Sequence, residues 1–219
     1  MLTFRVVNPP RVLATGLTLL ALLVVLAVVV RDPLPGETAL LRAVHAEDGS
    51  GAQRFWQAVS DASDALPLAL VAVVGLAVLL ALHRVRSAGL LLAAVAVPST
   101  VNPVLKDLLG RDRPDLWSLG EVSAHSMPAG HAANSMAVVA GVVAVLIPRT
   151  ARRGRTVSLA VAALVLLVIG AAQLALGRHY ASDLVVGWLW AAAWVALVVS
   201  LPFGASRDPA RAGTRDVSR

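Results

Sequence analysis

Between Val12 and Val30 the chain carries no charge and no proline. At about 1.5 Å of rise per helical residue, such a run reaches about 28 Å, enough to cross the hydrocarbon core of a bilayer. Further apolar runs follow at about Ala65–Leu82, Ser87–Leu105, Ala132–Ile147, Thr156–Leu176 and Leu184–Leu201. Inside lipid no water is available to satisfy a backbone, so single apolar runs of this kind must be helices. The expected fold is therefore all-α: a polytopic membrane protein with six transmembrane helices. Composition agrees, since 58% of the 219 residues are hydrophobic and 15% charged, against about 45–50% and about 25% in soluble domains. Soluble enzymes and secreted domains are excluded. The first run follows Arg5 and Arg11, but it is too long for a signal-peptide core and ends without an A-x-A-like site, so it reads as an uncleaved span. Pro98 and Pro103, with Asn102 between them, predict a kinked or unwound outer end for the third span.

The cations give an orientation. Eighteen arginines and a single lysine make up the basic residues. Twelve of them fall on the side of the N-terminus: Arg5, Arg11, Arg84, Arg86, Arg149, Arg152, Arg153, Arg155, Arg207, Arg211, Arg215 and Arg219. The opposite side holds Arg31, Arg42, Arg54, Lys106, Arg111, Arg113 and Arg178. By the positive-inside rule both termini are cytoplasmic. The net charge of +6 then serves orientation and does not call for a nucleic-acid partner. Residues 1–203 read as one membrane domain and 204–219 as a disordered cytoplasmic tail rich in Arg, Asp and Gly. The first outer loop carries two amphipathic stretches, Thr38–Val44 and Phe55–Val59, expected to lie on the outer membrane surface. Trp188, Trp190 and Trp194 read as interfacial or lipid-facing aromatics.

Three polar segments emerge on the outer face once the spans are threaded: Lys106 to Pro114, Met127 to His131, and Gly177 to Asp183. Lys106 is the lone lysine in a chain that otherwise uses arginine, which suggests a site requiring a compact ammonium. Lys106 and Arg113 are either members of an ion-paired loop with Asp107, Asp112 and Asp115, or two cations that hold a phosphate dianion. The Pro128-Ala129-Gly130-His131 turn opens a helix, and the unpaired N–H groups there favour an anion. Gly130 permits close approach, and His131 is either a cap or a catalyst beside that anion. His179 and Asp183 are four residues apart, so on one helix they share a face. Such a pair is either structural or a nucleophile held in one tautomer by a carboxylate. Two histidines and one aspartate without a further carboxylate cluster do not make a metal site, and the absence of cysteine removes thiolate ligands, Cys nucleophiles and disulfides.

Together these segments resemble the type 2 phosphatidic acid phosphatase (PAP2) superfamily, membrane lipid phosphatases related in catalytic core to the vanadium haloperoxidases. The family pattern joins Lys-six residues-Arg-Pro, Pro-Ser-Gly-His, and Ser-Arg-five residues-His-three residues-Asp. Lys106, Arg113 and Pro114 complete the first part; Pro128, Gly130 and His131 carry the second; His179 and Asp183 carry the third. The resemblance covers the chain from about residue 65 onward. It implies His179 as nucleophile, Asp183 as its orienting carboxylate, and His131 as the acid for the leaving group and later the base for water. Lys106, Arg113, Gly130 and the position of Gln173 would bind the phosphate, with no metal and no cofactor. It implies a phosphohistidine intermediate and a multi-pass protein of the cell membrane with its site on the extracytoplasmic side. The substrate would be a lipid phosphate or an isoprenoid diphosphate. Two positions depart from the pattern: Ala129 replaces the serine, and Ala172-Gln173 replaces Ser-Arg. Each lost charge-assisted contact is worth about 1.5–3 kcal/mol, or about ten- to a hundredfold in rate. The other function compatible with these residues is a catalytically weakened or inactive member that binds or moves an anionic lipid.

Overall fold

A computed structural model describes residues 9–29, 31–116, 123–146 and 152–200. The described residues form eight helices: α1 (Pro9–Val29), α2 (Glu37–Val44), α3 (Gly51–Ala62), α4 (Ala65–Ala81), α5 (Val85–Leu109), α6 (Gly130–Leu146), α7 (Arg152–Ala175) and α8 (Ala181–Ser200). The tail 204–219 and the turn containing Arg149 lie outside the described residues. Of the described helices, α5, α7 and α8 are long and apolar enough to cross a membrane on their own. A fourth span is possible if α3 and α4, bent by 42° at their junction, are taken as one. Large apolar side chains stand exposed along α4, α5 and α7, among them Leu66, Val74, Leu108 and Leu167. Open apolar belts of this extent would be a liability in water and are normal against lipid. The chain is a multi-pass membrane protein.

Helix α8 is the centre of the assembly, packing on α1, α5 and α6. Small residues make that possible. Gly187 faces the turn before α6 so closely that a Cβ there would lie 2.7 Å from Ala129 O. Ala133, Ala137 and Ala191 continue the seam with Met127, Val186 and Trp190. Without a hydrophobic drive between helices in lipid, this close backbone approach is the main source of cohesion. Because α8 is surrounded, its tryptophans turn inward instead of toward lipid or the interface as expected. Trp190 is buried in the α6–α8 core, and Trp194 Nε1 donates to Ala93 O on α5 at 2.9 Å.

The expected unwinding of the third span does not occur: α5 continues through both prolines from Val85 to Leu109. A proline removes one backbone donor, and neighbouring side chains can restore bonds to the carbonyls around it. Ser99 Oγ donates to Val95 O, Thr100 Oγ1 to Ala96 O, and the Trp194 indole to Ala93 O, beside Ala94 O and Ser99 O, the carbonyls that Pro98 and Pro103 leave without a helical donor. The two amphipathic stretches of the first loop are helices α2 and α3. The Ser50 side chain caps α3 by accepting the Gln53 N–H at 3.0 Å. The loop between them is tied to the end of α7, where Ala46 N donates to Ala175 O. This bond brings α3 over the same end of the bundle as the three polar segments.

Candidate active site

Helix ends build the site. The C-terminal turn of α5 delivers Lys106, and the chain after it folds back along the turn before α6. There Ser126 N donates to Arg111 O, Ser126 Oγ donates to Asp112 O, and Asp112 and His125 form an isolated bridge. The first residues of α6 are Gly130 and His131, whose N–H groups have no partner within the helix. The link between α7 and α8 supplies Arg178 and His179. Helix α7 ends in a Schellman closure: Gly177 N donates to Leu174 O and Arg178 N to Gln173 O. Gly177 takes φ +69°, and a Cβ on it would stand 2.9 Å from Leu116 Cβ, so only glycine fits the turn.

These ends enclose a cavity of about 250 Å³ whose walls include Lys106, Arg113, Gly130, His131, Arg178 and His179. Lys106 and Arg113 are not an ion-paired loop: among the described residues neither bonds to Asp107, Asp112 or Asp115. Lys106 Nζ donates to Ser123 Oγ and His125 O, at 3.3 and 3.2 Å. Arg113 donates to Ser123 O and Oγ, and its Nη1 donates to Arg178 O at 2.9 Å. Neutral oxygens thus hold both cations in place without cancelling their charge.

His179 is 2% exposed. Its Nδ1 faces Asp183 Oδ2 at 3.6 Å, and its Nε2 lies 3.5 Å from Arg113 Nη1. The i,i+4 relation anticipated a shared helical face, yet α8 begins only at Ala181, so His179 precedes the helix and reaches back to it. Asp183 is fully buried; its Oδ2 also accepts the Tyr180 N–H at 2.8 Å. Burial, only partly offset by Asp183, lowers the His179 pKa to about 3, so the imidazole is neutral at pH 7 with its Nε2 lone pair available. Burial also lowers the Arg113 and Arg178 guanidinium groups from their usual values. His131 meets a carboxylate of its own, with Asp64 Oδ1 2.7 Å from its Nε2. Among the described residues no group of three or more His, Asp or Glu side chains could hold a metal ion.

The structure gathers Lys106, Arg113, Gly130, His131 and His179 on one cavity and places Asp183 behind His179. Gln173 is elsewhere: it is fully buried off the cavity wall, where its Nε2 donates to Ser60 Oγ at 3.0 Å. Ala129 is also fully buried. Several contributors escaped the sequence reading. Asp64 is one such contributor: nothing in the sequence ties it to a histidine 67 positions away. Arg111 was counted only for orientation. It is 3% exposed and bridges Asp183 Oδ1 at 2.6 Å and Glu37 Oε2 at 3.1 Å. Arg178, in the sequence only one of the outer-side cations, is brought onto the cavity wall by the Schellman turn.

The sequence profile of the PAP2 superfamily matches residues 87–207, more than half of the chain and every cavity residue except those of the α3–α4 junction. The chain belongs to the PAP2 superfamily. No curated protein matches it. Among solved structures, the first transmembrane PAP2 type phosphatidylglycerolphosphate phosphatase from Bacillus subtilis is similar, with a TM-score of 0.75 and 19% sequence identity. The similarity covers 84% of this chain and 94% of that one, and at this identity it establishes a shared fold. The PAP2 assignment makes this a membrane phosphatase of the lipid-phosphatase class.

Proposed function

We propose that the chain hydrolyses the terminal phosphate of a membrane lipid, through a phosphohistidine formed on His179, at the extracytoplasmic surface. The observation that carries the reading is the placement of His179: Nδ1 turned to a buried carboxylate, Nε2 beside Arg113 in a cavity that Lys106 and His131 also line. In the first step the Nε2 lone pair attacks phosphorus and the P–O bond to the lipid breaks. The leaving oxygen takes a proton from His131. Asp183 holds the ring and stabilises the positive charge it acquires. In the second step His131 removes a proton from water, the water oxygen attacks phosphorus, and the P–N bond breaks to release inorganic phosphate and neutral His179. Lys106, Arg113 and the first N–H groups of α6 would face the non-bridging oxygens, where charge stabilisation of this kind is worth about a hundred- to a thousandfold per donor.

Six spans with both termini cytoplasmic would put this cavity at the outer surface, supported by the distribution of arginines. A lipid phosphomonoester or a polyprenyl diphosphate fits the chemistry equally. In the second case the leaving group is a lipid phosphate. The structural relative's name points to phosphatidylglycerolphosphate as a substrate to try first. The test is phosphate release in detergent micelles with chelator present, from phosphatidylglycerolphosphate, phosphatidic acid and undecaprenyl diphosphate. Release from at least one lipid, abolished by His179→Ala, is the expected result. Turnover that survives His179→Ala overturns the assignment of the nucleophile. Binding of these lipids without release would instead favour a member that binds or moves lipids without hydrolysing them.

A further inference from the structure

Gln173 and Arg178 converge on one oxygen. Gln173 Nε2 donates to Ser60 Oγ at 3.0 Å, and Arg178 Nη1 donates to the same atom at 2.6 Å. Ser60 is fully buried on α3, and a hydroxyl oxygen has two lone pairs to offer. Both are engaged by these donors, and His131 Nε2 stands 3.4 Å from the same oxygen. Gln173 has no place on the cavity wall, whereas Arg178 stands on it with Lys106, Arg113 and His179. The reaction described above uses two of those three cations and leaves Arg178 without a task.

A bound phosphate dianion presents three non-bridging oxygens, and a guanidinium meets such oxygens with fixed, directional N–H groups. Lys106 and Arg113 are held together by Ser123 on one wall. Arg178 is held separately by Ser60, with Asp61 and Asp64 as the carboxylates that act on it. We propose that Arg178 is a third phosphate-gripping cation of this cavity, and that Ser60, braced by Gln173, positions it. The inference rests on the reading of the cavity as a phosphate site. It gives Gln173 a definite role: the amide does not reach the phosphate but steadies the hydroxyl that holds the arginine. The anchor comes from α3, outside the segment matched by the family profile, so the first outer loop contributes to the site.

Two measurements on the purified protein in detergent separate this assignment from the reaction itself. The first is calorimetric titration with inorganic phosphate; the second is phosphate release from dioleoyl phosphatidic acid. Arg178→Gln is expected to weaken phosphate binding about ten- to a hundredfold, the worth of a charge-assisted contact. Arg178→Lys should retain part of the affinity, which guards against misreading a folding defect. Ser60→Ala should weaken binding less, and most of its effect should vanish in the Arg178→Gln background, where only its 3.4 Å contact with His131 Nε2 is left to act. A purely structural serine would give additive losses. Phosphate affinity unchanged by Arg178→Gln, or additive effects of the Ser60 and Arg178 changes, overturns the proposal even if lipid hydrolysis is normal. Arg178-dependent phosphate binding with no release from any lipid leaves the proposal standing and sinks the phosphatase reading. No phosphate binding by the unaltered chain overturns both.

Discussion

Replacing Arg111 with methionine removes a guanidinium that serves two buried carboxylates at once. Its contacts are Asp183 Oδ1 at 2.6 Å, Glu37 Oε2 at 3.1 Å, Ser182 Oγ at 2.7 Å and Asp32 O at 3.2 Å. It also stacks over the Tyr180 ring, 4.7 Å from the centroid. Asp183 is fully buried and Glu37 nearly so, and both remain when the cation goes. Removing one member of a buried pair typically costs about 3–5 kcal/mol, because the charge left behind stays desolvated and uncompensated. For a chain of this size that corresponds to about 6–20 °C in Tm. Scanning fluorimetry of the purified protein in detergent reads the shift directly. Phosphatase activity at a temperature where both proteins are folded should fall as well under the proposed role of Asp183, whose Oδ2 faces His179 Nδ1 at 3.6 Å. Adding Asp183→Asn and Glu37→Gln to Arg111→Met removes the stranded charges, so it should restore much of the stability and none of the activity. A Tm within about 2 °C of the parent, equivalent to under about 1 kcal/mol, would refute the claim that this triad braces the nucleophile's carboxylate.

Three further outcomes follow from the geometry. The His179 imidazole protonates near the usual value of about 6.5 in the unfolded chain and at about 3 when folded. The folded state therefore binds fewer protons between those values, and stability falls as pH drops through the window. At pH 5 the loss is about 2 kcal/mol, so acidification from pH 7 should lower the Tm of the parent more than that of His179→Gln; equal slopes would contradict a buried neutral imidazole. Gly177→Ala forces a Cβ against Leu116 at a positive φ and should destabilise by about 1–3 kcal/mol while disturbing Arg178 and His179; a neutral melting temperature would show that the turn is looser than described. Gln173→Arg would bring a second guanidinium to the buried Ser60 oxygen beside Arg178, so the phosphatase rate should fall. A rate increase from Gln173→Arg alone would mean that position 173 reaches the phosphate after all.

The apolar runs and the converging histidines and cations were legible in the sequence for a common reason. Lipid demands long uninterrupted hydrophobic helices, and phosphoryl transfer demands specific side chains at fixed spacing, so both leave local marks. The boundaries of α4, α7 and α8 fall within a few residues of the expected runs. What was not legible depends on tertiary contact. Pro98 and Pro103 break helices in general, yet α5 runs through both, packed against its neighbours. The tryptophans of α8 have the composition of interfacial anchors, but the helix occupies the middle of the bundle. Arg111, an outer-loop cation by its charge, proves to be a buried brace. Asp64 and Ser60 reach the site because α3 folds over the end of the bundle, a placement that no local pattern encodes.

If His179 is covalently phosphorylated during turnover, as proposed, the adduct can be trapped. The protein is mixed with a lipid carrying radiolabel in its terminal phosphate, denatured within the first turnover at alkaline pH, where phosphohistidine survives, and digested. Acid-labile label is expected on the peptide containing His179, and none in His179→Ala. Label on a different residue, or steady phosphate release with no labelled protein at any time, would contradict it.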